Sequence, residues 1–206
     1  MNLQYKVVSK FYGLLDVLFF NNPNTSPRTA MLKRIPDDKT KILEICVGTA
    51  ENSILIAENR PNAEIIGIDL SKDMLALAEQ KINARGIKNI KTLVMDATNT
   101  IFEDSSFDVV IISLVLHEID EEIRHKIMNE SKRVLRKKGK ILIIEWDKPK
   151  KLIQRPLFSV IKLLEPKGFQ DFLRLDIKKY AEKFSLMVIN EEKCDYTQVI
   201  EMIKSV

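Results

Sequence analysis

The stretch Ile42-Leu43-Glu44-Ile45-Cys46-Val47-Gly48-Thr49-Ala50-Glu51-Asn52-Ser53, ILEICVGTAENS, decides the fold. Its first half is an apolar run broken by one acid, as in a buried strand. Its second half is small and polar, and an apolar helical repeat begins at once. A strand that passes through small residues straight into a helix leaves the helix's first N–H groups open to a ligand. Against the dinucleotide spacing G-x-G-x-x-G the positions are Cys46, Gly48 and Glu51, and the acid in last place would repel a pyrophosphate. Against the shorter spacing G-x-G-x-G they are Cys46, Gly48 and Ala50, all small, so the shorter spacing fits better.

Outward from this stretch, apolar runs alternate with helical patterns. KILEICV at 41–47, AEIIGIDL at 63–70, IKTLVMDA at 90–97, FDVVIISLVL at 107–116 and KILIIEW at 140–146 read as strands. Segments 50–59, 72–85 and 118–137 repeat apolar residues at helical spacing. Near-continuous Val, Ile and Leu in the strands implies a parallel sheet buried on both faces, and the alternation predicts an open, doubly wound α/β fold. Ser71 is placed to cap a helix from Lys72, while Gly86 and Gly139 stand where a left-handed residue would end one. The basic run SKRVLRKKGK at 131–140 is expected at a helix C-terminus, where cations complement the dipole. Residues 1–35 form an apolar helical prelude; after the fifth strand come an apolar segment, a helix over 176–184, and a hairpin of 186–193 with 196–205.

With 206 residues, 45% of them hydrophobic, and only 6 Gly and 7 Pro, the composition is that of one soluble globular domain. Folding at this length buries roughly 70% of the surface the unfolded chain exposes, so the core needs no metal or disulfide. We divide 1–206 into the prelude at 1–35, a cofactor-binding core at 36–147, and a lid helix with the hairpin at 148–206. Cys46 and Cys194 are the only cysteines, which points to reduced thiols in the cytoplasm and no metal site. The run FYGLLDVLFF is short and contains Asp16, so it suits neither a signal peptide nor a transmembrane segment. The 33 basic and 29 acidic side chains are interspersed and leave a net charge of +4, a solvated mixed-charge surface rather than a nucleic-acid footprint.

The acids carry the ligand argument. Glu44, late in a buried strand, can attract an ammonium group and would be a liability beside phosphates. Asp69, 21 residues beyond Gly48 at the end of the second strand, stands where an acid reaches a ribose diol in such folds. Asp96 ends the third strand and can accept from an adenine amino group, with the N–H of Ala97 available to a ring nitrogen. Met74 and Leu75, in the next helix's first turn, can cover an adenine face. A nucleoside that carries an amino acid and no phosphate is S-adenosylmethionine.

The series ILEICVGTAENS, GIDLSKDMLALAEQK, VMDAT, FDVVIISLVLHEI and RVLRKKGKILIIEW resembles the class I S-adenosylmethionine-dependent methyltransferases, in particular the ubiquinone/menaquinone-biosynthesis-like group. The resemblance spans about residues 5–206. It implies a Rossmann-like seven-stranded sheet of order 3-2-1-4-5-7-6 with strand 7 antiparallel, S-adenosyl-L-methionine as cofactor and S-adenosyl-L-homocysteine as product. It also places Cys46, Gly48, Thr49, Ala50, Leu70 and Leu114 against the cofactor. Glycines are usual at Cys46 and Ala50. Ala50 is expected to be mild, since that position mainly serves helix packing; Cys46, if its φ is positive, costs about 1–2 kcal/mol.

The expected activity is methyl transfer by direct displacement to a small-molecule or lipid-like acceptor. A methyl sulfonium is already activated, so alignment and exclusion of water can suffice without an obligatory base. His117, just after the fourth strand, is the catalytic candidate, as general base or substrate positioner, with a structural hydrogen-bonding role as the alternative. Tyr12 on the prelude and Phe158 after the fifth strand are candidate substrate contacts. The apolar segment around Leu152, Ile153, Leu157 and Phe158, behind Lys148, Lys150, Lys151 and Arg155, is a lid over the acceptor, a homodimer contact, or a peripheral membrane contact. The rival activities are a non-catalytic S-adenosylmethionine-binding protein and an NAD(P)-dependent oxidoreductase.

Overall fold

In the computed structural model, residues 25–149, 151–164 and 168–205 are described; the prelude before Thr25, with Tyr12, lies outside them. The strands are β1 (Lys41–Ile45), β2 (Glu64–Asp69), β3 (Ile90–Val94), β4 (Phe107–Ser113), β5 (Leu135–Trp146), β6 (Leu186–Cys194) and β7 (Thr197–Lys204). The helices are α1 (Pro27–Leu32), α2 (Glu51–Asn59), α3 (Lys72–Ala84), α4 (Glu121–Val134), α5 (Arg155–Leu164), α6 (Gly168–Phe172) and α7 (Ile177–Glu182). They form one sheet of order β3-β2-β1-β4-β5-β7-β6. The five strands β3, β2, β1, β4 and β5 run parallel, and β7 pairs antiparallel with both β5 and β6.

Side-chain alternation along the central strands sorts the core into two layers. Leu43 and Ile45 of β1, Val110 and Ile112 of β4, and Ile141 and Ile143 of β5 pack on one face with Ile127 and Met128 of α4 and Tyr180 of α7. Ile42, Val109, Ile111, Leu142 and Ile144 point the other way, against Met31 of α1 and Ile56 of α2. Each residue step reverses the face, so an apolar strand without polar alternation is what a helix layer on each side requires. Ser71 caps α3 as expected, its Oγ accepting from Met74 N at 3.3 Å, and Gly86 takes φ +67 just past the helix.

Two expectations are corrected between α4 and β5. The helix ends at Val134, because Leu135 turns extended (φ −72, ψ 134) and is fully buried, so the basic run straddles helix and strand. Gly139 ends no helix: it lies within β5, and its φ is not positive. Its role is close approach, since a Cβ there would sit 2.8 Å from the Asp108 carbonyl oxygen and from Leu135. That contact falls where the pairing register slips, Phe107 facing Leu135 and Val109 facing Lys140.

Candidate functional site

A cleft of about 520 Å³ opens over the carboxyl ends of β1, β2, β3, β4 and β5. This is the edge at which open α/β sheets hold ligands, because the strand-to-helix loops there end in outward-facing N–H groups.

The first loop supplies the floor. Cys46, Gly48 and Ala50 have φ of +54, +54 and +64, so all three glycine-like positions keep left-handed backbone although two carry side chains. The chain is pinned by Val47 N to Ile68 O at 2.9 Å and by Ala50 N to Val47 O at 2.9 Å. Gly67 in β2 makes room, since a Cβ there would meet the Val47 side chain at 2.8 Å. Ala50 is therefore not the mild case expected from packing: it pays the left-handed penalty as Cys46 does, and it is buried behind the loop rather than on the cleft wall. A Cβ on Gly48 would meet nothing within 4 Å, so the cleft comes up to the bare backbone there.

Three carboxylates face the cleft from successive strand ends. Glu44 is 2% exposed; its Oε1 accepts from Asn52 Nδ2 at 2.8 Å and its Oε2 from the Ser53 hydroxyl. Burial pushes its carboxyl above the ordinary range, opposed by those hydrogen bonds and by the charge of Arg28. Asp69 accepts from Gly48 N on Oδ2 at 2.9 Å and from Ser71 N on Oδ1 at 2.8 Å. Asp96 is solvent-exposed, and the backbone N–H and the hydroxyl of Thr98 at 2.8 Å each hold it below the ordinary carboxylate range.

Thr49, Leu70, Met74, Ala97 and Leu114 also line the cleft; Leu70 is a rim residue at 69% exposure. Leu75 does not: it is buried with Ile54 and Ala78 between α2 and α3. Glu51 pairs with Lys81 of α3 at the mouth, so its charge is largely offset. Cys46 is half-buried and its thiol is pushed up to about 12, chiefly by burial, which keeps it a neutral wall residue.

His117 and Trp146 form the far wall. His117 is 1% exposed, with Nδ1 2.7 Å from Glu145 Oε2. Phe158 is buried in α5 with its ring 6.1 Å from Phe169, in the cluster behind Trp146, and does not line the cleft.

The sequence reading missed Arg28, Asn52, Ser53 and Glu145. Arg28 lines the cleft and donates from Nε to Asn52 Oδ1 at 3.0 Å, a link from α1 to the acid in β1. Glu145 had the same signal that singled out Glu44, a lone acid in a run of buried apolar strand residues.

The comparisons agree with this geometry. Residues 42–139 match the family model described as a methyltransferase domain. A demethylmenaquinone methyltransferase from Geobacillus sp. is 30% identical over 75% of this chain and 66% of its own length. In sequence this chain is similar to the S-adenosylmethionine-dependent methyltransferases, and its sheet has the class I order. A methyltransferase structure from Aquifex aeolicus superposes with TM-score 0.73 at 19% identity, covering 95% of this chain and 97% of that one. The cyclase SpnF superposes with TM-score 0.63 at 14% identity over 86% of this chain and 79% of its own, so likeness at this level shows the class I methyltransferase fold alone. The aligned part of the Geobacillus protein is just under two thirds of its length. Among the described residues no helix is long and apolar enough to cross a membrane.

A class I methyltransferase uses S-adenosylmethionine, and the residues present fit that molecule. The cleft volume is in the range of small-molecule sites. Its acids suit a cation carrying hydroxyl and amino donors, and the bare backbone at Gly48 admits close approach.

Proposed function

We propose that the chain transfers a methyl group from S-adenosylmethionine to a small quinone-like or amphiphilic acceptor. The observation that carries this reading is the convergence of Glu44, Asp69 and Asp96 on one cleft. Glu44, poised by Asn52 and Ser53, attracts the ammonium end, and Arg28 complements the carboxylate end. Asp69 accepts from the ribose hydroxyls while bracing the Gly48 loop. Asp96 and the Ala97 N–H meet the adenine edge, with Met74 against its face. When bound, the cofactor supplies a methyl group on a positively charged sulfur, activated toward nucleophiles. Leu114, Trp146 and His117 border the acceptor's side, exclude water and orient it.

The relatives named for demethylmenaquinone support a quinone-like acceptor. Leu152, Ile153 and Leu157, at 70%, 86% and 43% exposure beside Arg155, support an amphiphilic acceptor met at a membrane surface by a cytoplasmic protein.

Calorimetry with S-adenosylhomocysteine, followed by transfer of a labelled methyl group to reduced short-chain demethylmenaquinone, tests the reading. Binding and transfer are the expected result. Binding of NAD(H) without binding of S-adenosylhomocysteine would overturn it, and cofactor binding with no transfer to any acceptor in a broad screen would leave a binding protein.

A further inference from the structure

Glu145 is fully buried at the end of β5 and accepts three backbone hydrogen bonds. The donors are Val115 N at 3.1 Å and Leu116 N at 2.7 Å on Oε1, and Trp146 N at 3.2 Å on Oε2; His117 Nδ1 lies 2.7 Å from Oε2. Three backbone N–H groups make both Glu145 oxygens acceptors, so we assign the imidazole proton to Nδ1, which turns Nε2 into an acceptor. The ring is fixed from its sides as well. Phe169 meets it edge-on at 5.5 Å and 81°, and Trp146 at 6.5 Å and 79°. These two neighbours are uncharged; among the described residues Glu118 also carries a charge near the ring, its Oε1 3.8 Å from Nε2. Cys46, on the same cleft, stays a neutral thiol.

We propose that Glu145 is a positioning residue that holds His117 as the Nδ1–H tautomer, and that His117 is a catalytic base for an acceptor bearing an ionisable aromatic hydroxyl. The proposal rests on the methyltransferase reading above. The acceptor's O–H proton passes to His117 Nε2. The electron pair freed on the acceptor, at oxygen or at a ring carbon conjugated to it, forms the bond to the methyl carbon. The sulfur–methyl bond breaks with its electron pair left on sulfur, which becomes neutral. For attack through carbon, the ring C–H proton is then lost and the hydroxyl restored, and in either case one proton leaves to solvent. The imidazolium formed in the first step sits between the Glu145 and Glu118 carboxylates, which stabilise it.

The chain has two histidines, so nitrogen NMR of the imidazoles resolves the tautomer directly, with H125N identifying the other ring. The expected wild-type spectrum at neutral pH shows His117 protonated on Nδ1 and bare on Nε2. A spectrum with the proton on Nε2 overturns the proposal, whether or not any variant folds. In E145Q the side-chain amide donates to Nδ1, so the tautomer reverses and kcat toward 1,4-naphthohydroquinone falls by about 100-fold, while KM for the cofactor holds. H117A loses a similar factor near neutral pH and recovers as rising pH ionises the hydroquinone itself. A merely structural Glu145 would lower stability and leave tautomer and pH profile alone, which overturns the positioning role. Full kcat in H117A overturns the base, and no turnover of 1,4-naphthohydroquinone by a wild-type protein that binds S-adenosylhomocysteine overturns the acceptor class. Failure of the wild type to bind S-adenosylhomocysteine strikes the methyltransferase reading instead, and the tautomer result stands apart from it.

Discussion

The backbone N–H of Gly48 donates to Oδ2 of Asp69 at 2.9 Å, so the loop after β1 is braced by the acid at the end of β2. Ser71 N fills the other oxygen, Oδ1, at 2.8 Å. Each oxygen keeps a second acceptor site, which is what a pair of ribose hydroxyls needs. D69A should weaken S-adenosylhomocysteine by about 1.5–3 kcal/mol, roughly 10- to 150-fold, since both the hydroxyl contacts and the brace are lost. D69N should lose less, because one oxygen still accepts. Calorimetry reads the affinity and hydrogen exchange at Gly48 and Ser71 reads the brace. Equal affinity in wild type and D69A would remove Asp69 from the ligand.

The two left-handed non-glycine residues of the loop should respond differently to glycine. Relief of a left-handed side chain is worth about 1–2 kcal/mol, and the added freedom of glycine in the unfolded chain returns roughly 0.5–1. Cys46 is half-buried, so C46G should gain up to about 1 kcal/mol, or roughly 2–4 °C in Tm. Ala50 is fully buried against Ile54 and Leu75, and losing its methyl costs about 0.8 kcal/mol, so A50G should be near neutral. Thermal unfolding of both variants decides it; a clear loss in C46G would mean that its side chain contributes packing worth more than the strain.

The doubly wound parallel class was legible because the strands are apolar on both faces and the acids late in β1 and just at or after the ends of β2 and β3 mark the ligand edge. The strand order, by contrast, followed from the family resemblance. The left-handed conformation of Ala50 was not legible. A small residue in the third position reads as a packing requirement, whereas the φ of +64 is imposed by the turn that closes Ala50 N on Val47 O. Gly139 was misread because a glycine after a basic helical run looks like a helix stop, and only the slipped register against Phe107 and Val109 shows why a Cβ cannot fit. Arg28, Asn52 and Ser53 act on Glu44 through tertiary contacts 16, 8 and 9 residues away in sequence, with Arg28 reaching it by way of Asn52, a distance at which pattern alone says nothing about direction.

Glu130 of α4 should make stability fall in acid. It is 8% exposed, and its Oε1 accepts from Thr100 N at 2.7 Å and from the Thr100 hydroxyl at 2.6 Å, with Arg133 on both oxygens. The Arg133 hydrogen bonds, then those from Thr100, outweigh burial and hold the carboxyl at about 2, against an ordinary value of 4.5. Because the folded value is depressed, the stabilisation is complete above the unfolded value and is lost as pH falls through about 2. With allowance for solvent screening, E130Q should cost about 2 kcal/mol at neutral pH and almost nothing near the folded value. Urea unfolding across that range checks it; a cost independent of pH would assign the effect to packing.

Glu44 has the opposite sign, and that ties its protonation to the ligand. Burial raises its carboxyl above 4.5, so the ligand-free protein loses stability as pH climbs from the unfolded value toward the raised one. An ammonium group brought beside it favours the carboxylate and lowers its pKa again. Below the raised value, binding of S-adenosylhomocysteine must therefore expel a proton, and affinity should climb with pH and then level off once Glu44 is ionised in the free protein. E44Q, which keeps the shape but cannot ionise, should bind more weakly at neutral pH and with a flat profile. Calorimetry in two buffers of different ionisation enthalpy, from about pH 5 to pH 7, counts the protons directly. Heats identical in both buffers for the wild type across that range would show that no cation comes to rest beside Glu44, and would move the ammonium end of the ligand elsewhere in the cleft.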